Sequence, residues 1–309
     1  MNKLRYLVLS IWCISCNTDD TPKPDADKTI AFFGFTLVDT AFDDPTDSDT
    51  KTNYTDEVAS FTNIADVFAF TPTTNIKSNL DTFKANDLKA IIHLNEIFFE
   101  LIDTNSESGA NYNLRADYES RWNIFSQTND LSNTINEVAA FYLGEEPTWN
   151  GITANEFKIA SDFLKTQFPT VPILLIEAYP ALNQLQVPES VDWVGFDHYF
   201  IKDPLNDTTF ANELALVTSK MTSQQKLVLV MDTHYIDFAH GDFGTIQLEE
   251  MGDVANSYYE LAQQEEAIAI IGYHWPNGFE FNQSIGARGM PENVMQVYQK
   301  IGKEITQKL

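Results

Sequence analysis

Carboxylates, imidazoles and aromatic rings follow short apolar runs at several points along this chain of 309 residues. A hydrophobic core would not favour such residues at these places. Carboxylates transfer protons and bind hydroxyl groups, and aromatic rings pack against the faces of sugar rings. The pattern predicts a site for a polar, ring-shaped ligand. The side chains that we select are His93, Asn95, Glu145, Glu146, Trp149, Glu177, Asp197, Tyr199, Asp232, His234, Tyr235, His274 and Trp275.

Eight apolar runs alternate with amphipathic segments from Thr29 onward. Near-continuous apolar strands separated by helices are typical of parallel strands that are buried on both faces. Eight such units predict a (β/α)8 barrel, or TIM barrel, as a single domain over residues 29–309; an open doubly wound sheet is the alternative. The runs are 30–35, 65–70, 90–94, 138–143, 173–176, 193–196, 227–231 and 267–273, and the helical segments are 74–85, 118–135, 153–168, 206–221, 246–265 and 292–307.

The loops that follow the strands of such a barrel build the functional site at its C-terminal face. The selected side chains lie at or just past the ends of the third to the eighth run, so we expect them to converge at one mouth of the barrel. Two irregular stretches, residues 41–52 and 103–113, also follow strand ends and should lie on this face. We interpret the first, which is rich in Asp and Thr, as a solvated loop, and a calcium-like cluster of its aspartates is the alternative.

The segment FYLGEEP, which ends at Pro147, resembles the strand-four motif of the large retaining glycoside-hydrolase clan that contains cellulases and mannanases. That motif reads Asn-Glu-Pro, and the resemblance implies that Glu146 is the general acid/base and that Glu145 replaces the asparagine. The segment VDWVGFDHY, which ends at Tyr199, is similar to the clan's strand six, and Trp275 resembles its aromatic sugar platform. The resemblance implies a barrel fold and hydrolysis of glycosidic bonds.

The chain departs from the clan at strand seven, where the clan places a glutamate nucleophile. Asp232 takes that position, and its side chain is one methylene shorter. Retaining enzymes need about 5–5.5 Å between the two carboxyl groups, and inverting enzymes need about 6.5–9.5 Å. We therefore expect Glu146 as the acid and Asp232 as a second catalytic carboxylate that emerges at the barrel mouth. Glu177 is the alternative second carboxylate.

Glu145 and Glu146 also have a structural interpretation. Acidic residues stabilise the N-terminus of a following helix, so the pair could cap the helix after strand four. Adjacent residues on a strand point to opposite faces, so at most one of the two should face the site.

Three functions are consistent with the selected residues. The leading one is a glycoside hydrolase that acts on an extracellular polysaccharide without a metal or cofactor. The second is a non-catalytic, surface glycan-binding protein on the same scaffold, suggested by Asp232 and by the altered strand-four asparagine. The third is a metal-dependent barrel hydrolase, although the His-x-His signature of its first strand is absent. Its candidate ligands are His93, His198, His234 and His274 with Asp232 or Glu177.

The N-terminus carries a separate signal. A basic start and a short apolar run end in Ser-Cys, and this order resembles a bacterial lipobox with Cys16 as the lipidated residue. We expect a lipoprotein signal peptide over residues 1–16, a flexible tether over residues 17–28 and a lipid anchor in the outer membrane or at the cell surface. Asp19 and Asp20 resemble the export signal of Bacteroidetes surface lipoproteins. Both cysteines lie in this segment, so the barrel has neither a disulfide nor a thiol catalyst.

The formal net charge is −26, from 45 acidic and 19 basic residues. A surface this acidic argues against nucleic acid and anionic lipid headgroups as partners. It also disfavours a polyanionic substrate, unless basic residues gather in the site. We expect a polysaccharide or oligosaccharide as the ligand of a monomeric protein.

Overall fold

The computed structural model describes residues 30–308, in which eight parallel strands form a nearly closed barrel in the order β1-β10-β9-β8-β7-β6-β3-β2. The (β/α)8 barrel is confirmed, and each apolar run overlaps one barrel strand. The strands are β1 (Phe32–Phe35), β2 (Ile64–Phe68), β3 (Lys89–His93), β6 (Val138–Glu145), β7 (Ile173–Ala178), β8 (Trp193–Asp197), β9 (Lys226–Asp232) and β10 (Ala269–Tyr273), and β4 (Phe99–Asp103) with β5 (Asn111–Leu114) forms a separate antiparallel hairpin.

The two ends of this order meet without a continuous hydrogen-bonded ladder. The backbone N–H of Asn63 donates to the carbonyl oxygen of Phe33 at 3.0 Å, and the backbone N–H of Phe33 donates to Asn63 Oδ1 at 2.9 Å. Beyond β1, the backbone N–H groups of Leu37 and Val38 donate to the carboxylate of Asp66. These contacts hold β1 against β2, and the open-sheet alternative is wrong.

Helices surround the barrel. The longer ones are α2 (Lys77–Ala85), α4 (Tyr118–Thr128), α6 (Ala154–Gln167), α7 (Thr208–Ser219), α9 (Met251–Gln264) and α10 (Glu292–Thr306), and the short ones are α1 (Thr55–Val58), α3 (Asn95–Phe98), α5 (Leu131–Thr134) and α8 (Asp237–His240). Short 3-10 helices cover Ile135–Glu137, Tyr179–Ala181, Leu248–Glu250 and Ala287–Gly289. α6 begins at a capping box of Thr153 and Glu156, so Glu145 and Glu146 do not cap it.

The strands bury side chains on both faces, which explains their near-continuous apolar sequence. Inward-facing side chains such as Ala140, Leu174 and Val228 fill the barrel interior. Outward-facing side chains such as Phe141 and Leu229 belong to the larger core between the strands and the helices. Apart from Asp66 in the middle of β2, the buried polar side chains that break this pattern lie at the C-terminal ends of the strands, where the interior opens.

Two loops at this end are more ordered than the sequence suggested. The β4–β5 hairpin occupies much of the stretch that we expected to be irregular, residues 103–113. The loop over residues 41–52 is irregular, but Asp44 is buried in it. Arg288 binds the carboxylates of Asp44, Asp47 and Glu57. Arg288 occupies the space between these carboxylates, and the described aspartates of this loop form no group close enough to hold a metal ion, so the calcium-like cluster is not formed.

The signal peptide (1–16), the lipidated Cys16 and the tether (17–28) all precede the described part of the chain, so these predictions lie outside the described residues. Within residues 30–308, no helix is long and apolar enough to cross a membrane.

Candidate active site at the barrel mouth

A cavity of about 390 Å³ opens at the C-terminal ends of the strands. This volume lies within the range of about 300–1000 Å³ that is usual for small-molecule sites. Aromatic rings and carboxylates make up more than half of its lining residues, so both kinds of side chain meet at this mouth of the barrel. The aromatic residues are Phe68, Tyr112, Tyr142, Tyr199, Phe200, Tyr273, Phe279 and Phe281, and the carboxylates are Glu96, Glu145, Glu146, Asp197 and Glu280.

Seven of the thirteen selected side chains line this cavity. They are His93, Asn95, Glu145, Glu146, Asp197, Tyr199 and His234. The other six are not among the residues that line it. They are Trp149, Glu177, Asp232, Tyr235, His274 and Trp275.

The turn after β6 brings two adjacent carboxylates into the cavity. Glu145 ends the strand, and Glu146 follows with a left-handed backbone, φ 45°. The expectation that at most one of them faces the site is wrong, because strand alternation stops at this turn. Glu145 is exposed and Glu146 is half-buried, so the two carboxyl groups have different environments.

Glu177 supports this turn from below. It is fully buried, and its carboxylate accepts the backbone N–H groups of Thr148 at 2.8 Å and Trp149 at 3.1 Å. Burial raises the pKa of Glu177, and these hydrogen bonds oppose the shift. Glu177 was expected to bind substrate, but its geometry makes it a support for the turn that carries Glu146, and Trp149 is part of that turn, outside the residues that line the cavity.

Glu146 is hydrogen-bonded to Asp197, the last residue of β8. Burial raises the pKa of Glu146 to about 8, and the charges of Glu145 and Glu177 add to the shift. Burial also raises the pKa of Asp197 well above its usual range, with Glu146 as the largest contribution from a charge. Two carboxyl groups in contact cannot both ionise easily, so the pair retains a proton near neutral pH.

Asp232 has a different environment, with no exposed surface. Its Oδ2 accepts the backbone N–H of Phe200 at 2.8 Å, His240 Nε2 lies 3.2 Å from both oxygens, and His234 Nδ1 lies 3.1 Å from Oδ1. Burial alone would raise the pKa of Asp232, but His234 and His240 hold it below its usual range. The expectation that Asp232 emerges at the barrel mouth is wrong, because these donors enclose it.

His234 lies between Asp232 and the cavity, contacting the carboxylate on one side and lining the cavity on the other. Its Nδ1 faces Asp232, so Nε2 is the nitrogen left for a ligand. Tyr199 and Tyr273 pack edge-on against the imidazole, with ring centroids 5.1 and 5.3 Å away, and stack on each other at 4.9 Å. These contacts hold the imidazole in one orientation.

The two residues after β10 that were expected to bind substrate, His274 and Trp275, are buried and do not line the cavity. Trp275 is 3% exposed, packs against Phe35 at 5.0 Å between ring centroids and donates from Nε1 to Glu57 at 2.8 Å. It is a core residue and not a sugar platform. Burial lowers the pKa of His274 to about 3, and its Nδ1 lies 2.8 Å from the carbonyl oxygen of Pro276.

Tyr235 is also behind the wall, stacked on His240 at 5.0 Å and hydrogen-bonded to the carbonyl oxygen of Ile246. By contrast, His93 faces the cavity and stacks on Phe68 at 3.9 Å. Asn95 begins α3, and its Oδ1 makes no hydrogen bond with any described residue. A hydroxyl group of a ligand would supply the missing donor.

Sequence reasoning missed several residues. Tyr112 reaches the cavity from the unexpected hairpin, and His240 comes from a four-residue helix with no visible signature. Phe279 and Phe281 follow β10 in a polar loop, and two aromatic residues there were a signal that could have been used. Between them Glu280 accepts a hydrogen bond of 2.5 Å from the hydroxyl of Tyr273.

The four histidines of the metal alternative do not converge. His198 Nδ1 lies 2.6 Å from Glu213, and its ring stacks on Tyr179. Among the described residues, the group that is close enough to hold a metal ion consists of Asp232, His234 and His240.

No family model and no curated protein matches the chain. Solved structures do match. A glucosidase from Croceicoccus marinus superposes with a TM-score of 0.59 over 90% of this chain and 67% of its own, at 12% identity. A GH113 β-1,4-mannanase gives 0.53 over 87% and 99% at 10% identity, and a psychrophilic family 10 endo-β-1,4-xylanase gives 0.51 over 88% and 97% at 11%. At these identities the likeness establishes the barrel fold alone.

Proposed function

We propose that this protein is a glycoside hydrolase with Glu146 as its general acid. The observation that carries the proposal is the hydrogen-bonded pair of Glu146 and Asp197 in an aromatic-walled cavity at the mouth of a (β/α)8 barrel. Protonation of a glycosidic oxygen near neutral pH requires a carboxyl group with a raised pKa. The names of the similar barrels, a glucosidase, a mannanase and a xylanase, agree with this function.

The residues that line the cavity have different roles in the proposed reaction. Glu146 gives its proton to the leaving oxygen as the glycosidic bond breaks. Glu145, exposed beside it, and Asn95 on the neighbouring wall bind sugar hydroxyl groups. Tyr199 and Tyr273 supply flat surfaces for a sugar ring.

The charge of the cavity narrows the class of sugar. Five carboxylates line it, and the described lining residues include no Lys or Arg. A uronic acid or a sulfated sugar would meet uncompensated negative charge there. The substrate is therefore a neutral or amino-bearing glycan, and an anionic glycan of equal length should be neither bound nor cleaved.

The proposed enzyme acts outside the cell on a polysaccharide, as a monomer anchored through Cys16. This part rests on the sequence order of basic, apolar and small residues before the cysteine. Cys16→Ala should give an unprocessed or soluble protein. Unchanged lipid labelling and membrane partition in that variant would contradict the anchor.

One observation favours a second function, a non-catalytic glycan-binding protein. Asp232, at the position of the clan's nucleophile, is enclosed and does not line the cavity. A protein of this kind would bind a glycan tightly and release no product.

The test is the release of reducing sugar from a panel of neutral, amino-bearing and anionic oligosaccharides. Glu146→Gln should lower turnover about 100-fold or more, and the loss should be smaller on a dinitrophenyl glycoside, whose leaving group needs no proton. Glu145→Gln is the matched control and should raise KM more than it lowers kcat. If Glu145→Gln were inactive and Glu146→Gln active, Glu145 would be the general acid and Glu146 the residue that binds substrate. Binding of a glycan without cleavage by the unmodified protein would favour the second function.

A further inference from the structure

An imidazole lines the cavity two residues beyond Asp232. His234 follows β9, three strands from β6 in the barrel order, and lines the same cavity as Glu146, which follows β6. We propose that His234 is the base that activates the attacking water, and that Asp232 and His240 are positioning residues that act through it. This inference rests on the proposed hydrolase function.

The contacts of Asp232 determine which nitrogen of His234 carries the proton. An ionised carboxylate attracts an N–H group and repels a nitrogen lone pair, so the proton is on Nδ1, 3.1 Å from Asp232 Oδ1. Nδ1 is buried and makes no aligned hydrogen bond with any described residue, so the charge of this carboxylate decides the tautomer. In the neutral ring, the lone pair is then on Nε2, at the cavity, where a general base needs it.

His240 has the opposite tautomer. The backbone N–H of Ile236 lies 2.9 Å from His240 Nδ1, closer than the carbonyl oxygen of Ile236 at 3.3 Å, and an amide N–H can only donate. The proton of His240 is therefore on Nε2, 3.2 Å from both oxygens of Asp232. With the N–H of Phe200 at 2.8 Å, these donors keep Asp232 ionised and fix its orientation.

The same hydrogen bonds decide against a metal centre at Asp232, His234 and His240, although their ligand atoms are close enough to hold an ion. A histidine ligand offers one nitrogen to the metal and donates the proton of the other to a neighbouring acceptor. His240 Nδ1 instead receives the N–H of Ile236. Its Nε2 therefore has a proton and no free lone pair.

In the step that we assign to His234, a water molecule lies between Nε2 and the anomeric carbon. The water oxygen bonds to that carbon and its proton passes to Nε2, while the bond to the leaving oxygen breaks and Glu146 protonates that oxygen. The result is an inverted anomeric centre, an imidazolium and a carboxylate, and solvent carries the proton from His234 back to Glu146. The charge of Asp232 stabilises the imidazolium.

The kinetic test compares His234→Asn, whose amide can still donate to Asp232, with His198→Asn, a matched control whose imidazole pairs with Glu213 outside the cavity. The substrates are the dinitrophenyl glycosides of glucose, mannose and xylose. We expect kcat to fall about 100-fold in His234→Asn and to stay unchanged in His198→Asn. Added azide, which needs no base, should restore turnover of His234→Asn and give a glycosyl azide of inverted configuration.

Full activity of His234→Asn, with Glu146→Gln impaired on natural glycans, would overturn the role of His234 and leave the hydrolase proposal intact. No cleavage of any glycan by the unmodified protein would overturn both.

The positioning role is tested with Asp232→Asn. Loss of the carboxylate charge removes the stabilisation of the imidazolium, so kcat should fall while KM stays unchanged, a split that a purely structural role would not cause. Nitrogen-15 NMR of the unmodified protein should find the His234 proton on Nδ1 and the His240 proton on Nε2. The reverse tautomers would overturn the assignment, and so would one equivalent of tightly bound zinc that is lost in His240→Asn.

Discussion

Asp197 and Asp232 end neighbouring strands, β8 and β9, and both are buried, with 9% and 0% exposure. Their pKa values nevertheless move in opposite directions. Around Asp197 burial and the carboxylates of Glu146 and Glu145 raise the pKa. Around Asp232 burial acts in the same sense, but two imidazoles outweigh it and lower the pKa. The comparison shows that neighbouring donors and charges, and not burial alone, set the charge state of a strand-end carboxylate.

The two sides of the cavity therefore have complementary properties. The side of Glu146 and Asp197 retains a proton, which an acid must supply. The side of Asp232 retains a negative charge, which can orient His234 and stabilise it after it accepts a proton. Acid and base chemistry on opposite walls requires this separation of pKa values.

The largest effect should come from removing the enclosed carboxylate. Asp232→Ala leaves the buried N–H groups of Phe200 and His240 without their acceptor and removes the carboxylate that lies 3.1 Å from His234 Nδ1. Removing one partner of a buried charged pair costs about 3–5 kcal/mol, and we expect such a loss of unfolding free energy in urea at pH 7. A loss below about 1 kcal/mol would show that Asp232 is not paired in this way.

Replacing each aspartate with asparagine should affect the stability of the protein differently at Asp232 and at Asp197. Asp232→Asn replaces an acceptor of several donors with a neutral amide, and hydrogen bonds to charged groups contribute about 1.5–3 kcal/mol each. Asp197→Asn removes a like charge beside Glu146, so stability at pH 7 should stay within about 1 kcal/mol of the original. Equal losses in urea denaturation would contradict the comparison.

The pH dependence of stability should also differ. Folding raises the pKa of Glu146 from 4.5 to about 8, so in this window the native state binds more protons than the unfolded state. The free energy of unfolding therefore falls as pH rises from 4.5 to 8. The contribution of Asp232, whose pKa is lowered, is instead lost as pH falls below 3.8. Urea midpoints of Glu146→Gln should show a flatter decline from pH 4.5 to 8, and an unchanged slope would contradict the raised pKa.

The smallest effect concerns the wall after β10. Trp275→Phe should lose about 1 kcal/mol of stability through the hydrogen bond to Glu57, with KM unchanged. Phe281→Ala, at the cavity, should raise KM with little change in stability, because Phe281 is 44% exposed. Differential calorimetry and initial rates separate the two effects. A raised KM in Trp275→Phe would indicate that Trp275 does contribute to substrate binding.

The sequence predicted which strands end at the site but not which way each side chain points. Apolar runs located all eight strands, and barrel geometry then placed Glu146, Asp197 and His234 at one mouth. Glu177 was misassigned because its carboxylate accepts hydrogen bonds from backbone N–H groups after Glu146. These groups come close to Glu177 only in the folded turn. No local sequence pattern indicates a contact between a side chain and a distant backbone N–H group.

Asp232 shows the same limit more sharply. Its position matched the clan's nucleophile, but the helix that carries His240 turns back over the end of β9 and encloses the carboxylate. The left-handed turn at Glu146 likewise overrides the strand alternation that predicted one inward carboxylate. Both outcomes depend on tertiary contacts, which a single sequence does not display.

The most direct test of the central claim is a carbon-13 NMR titration of the glutamate side-chain carboxyl groups, with Glu146→Gln used to assign the resonance of Glu146. It requires no substrate. The account predicts that this carboxyl group titrates near pH 8 and remains protonated at neutral pH. A midpoint between pH 4 and 5, the ordinary range of glutamate, would contradict its role as the general acid.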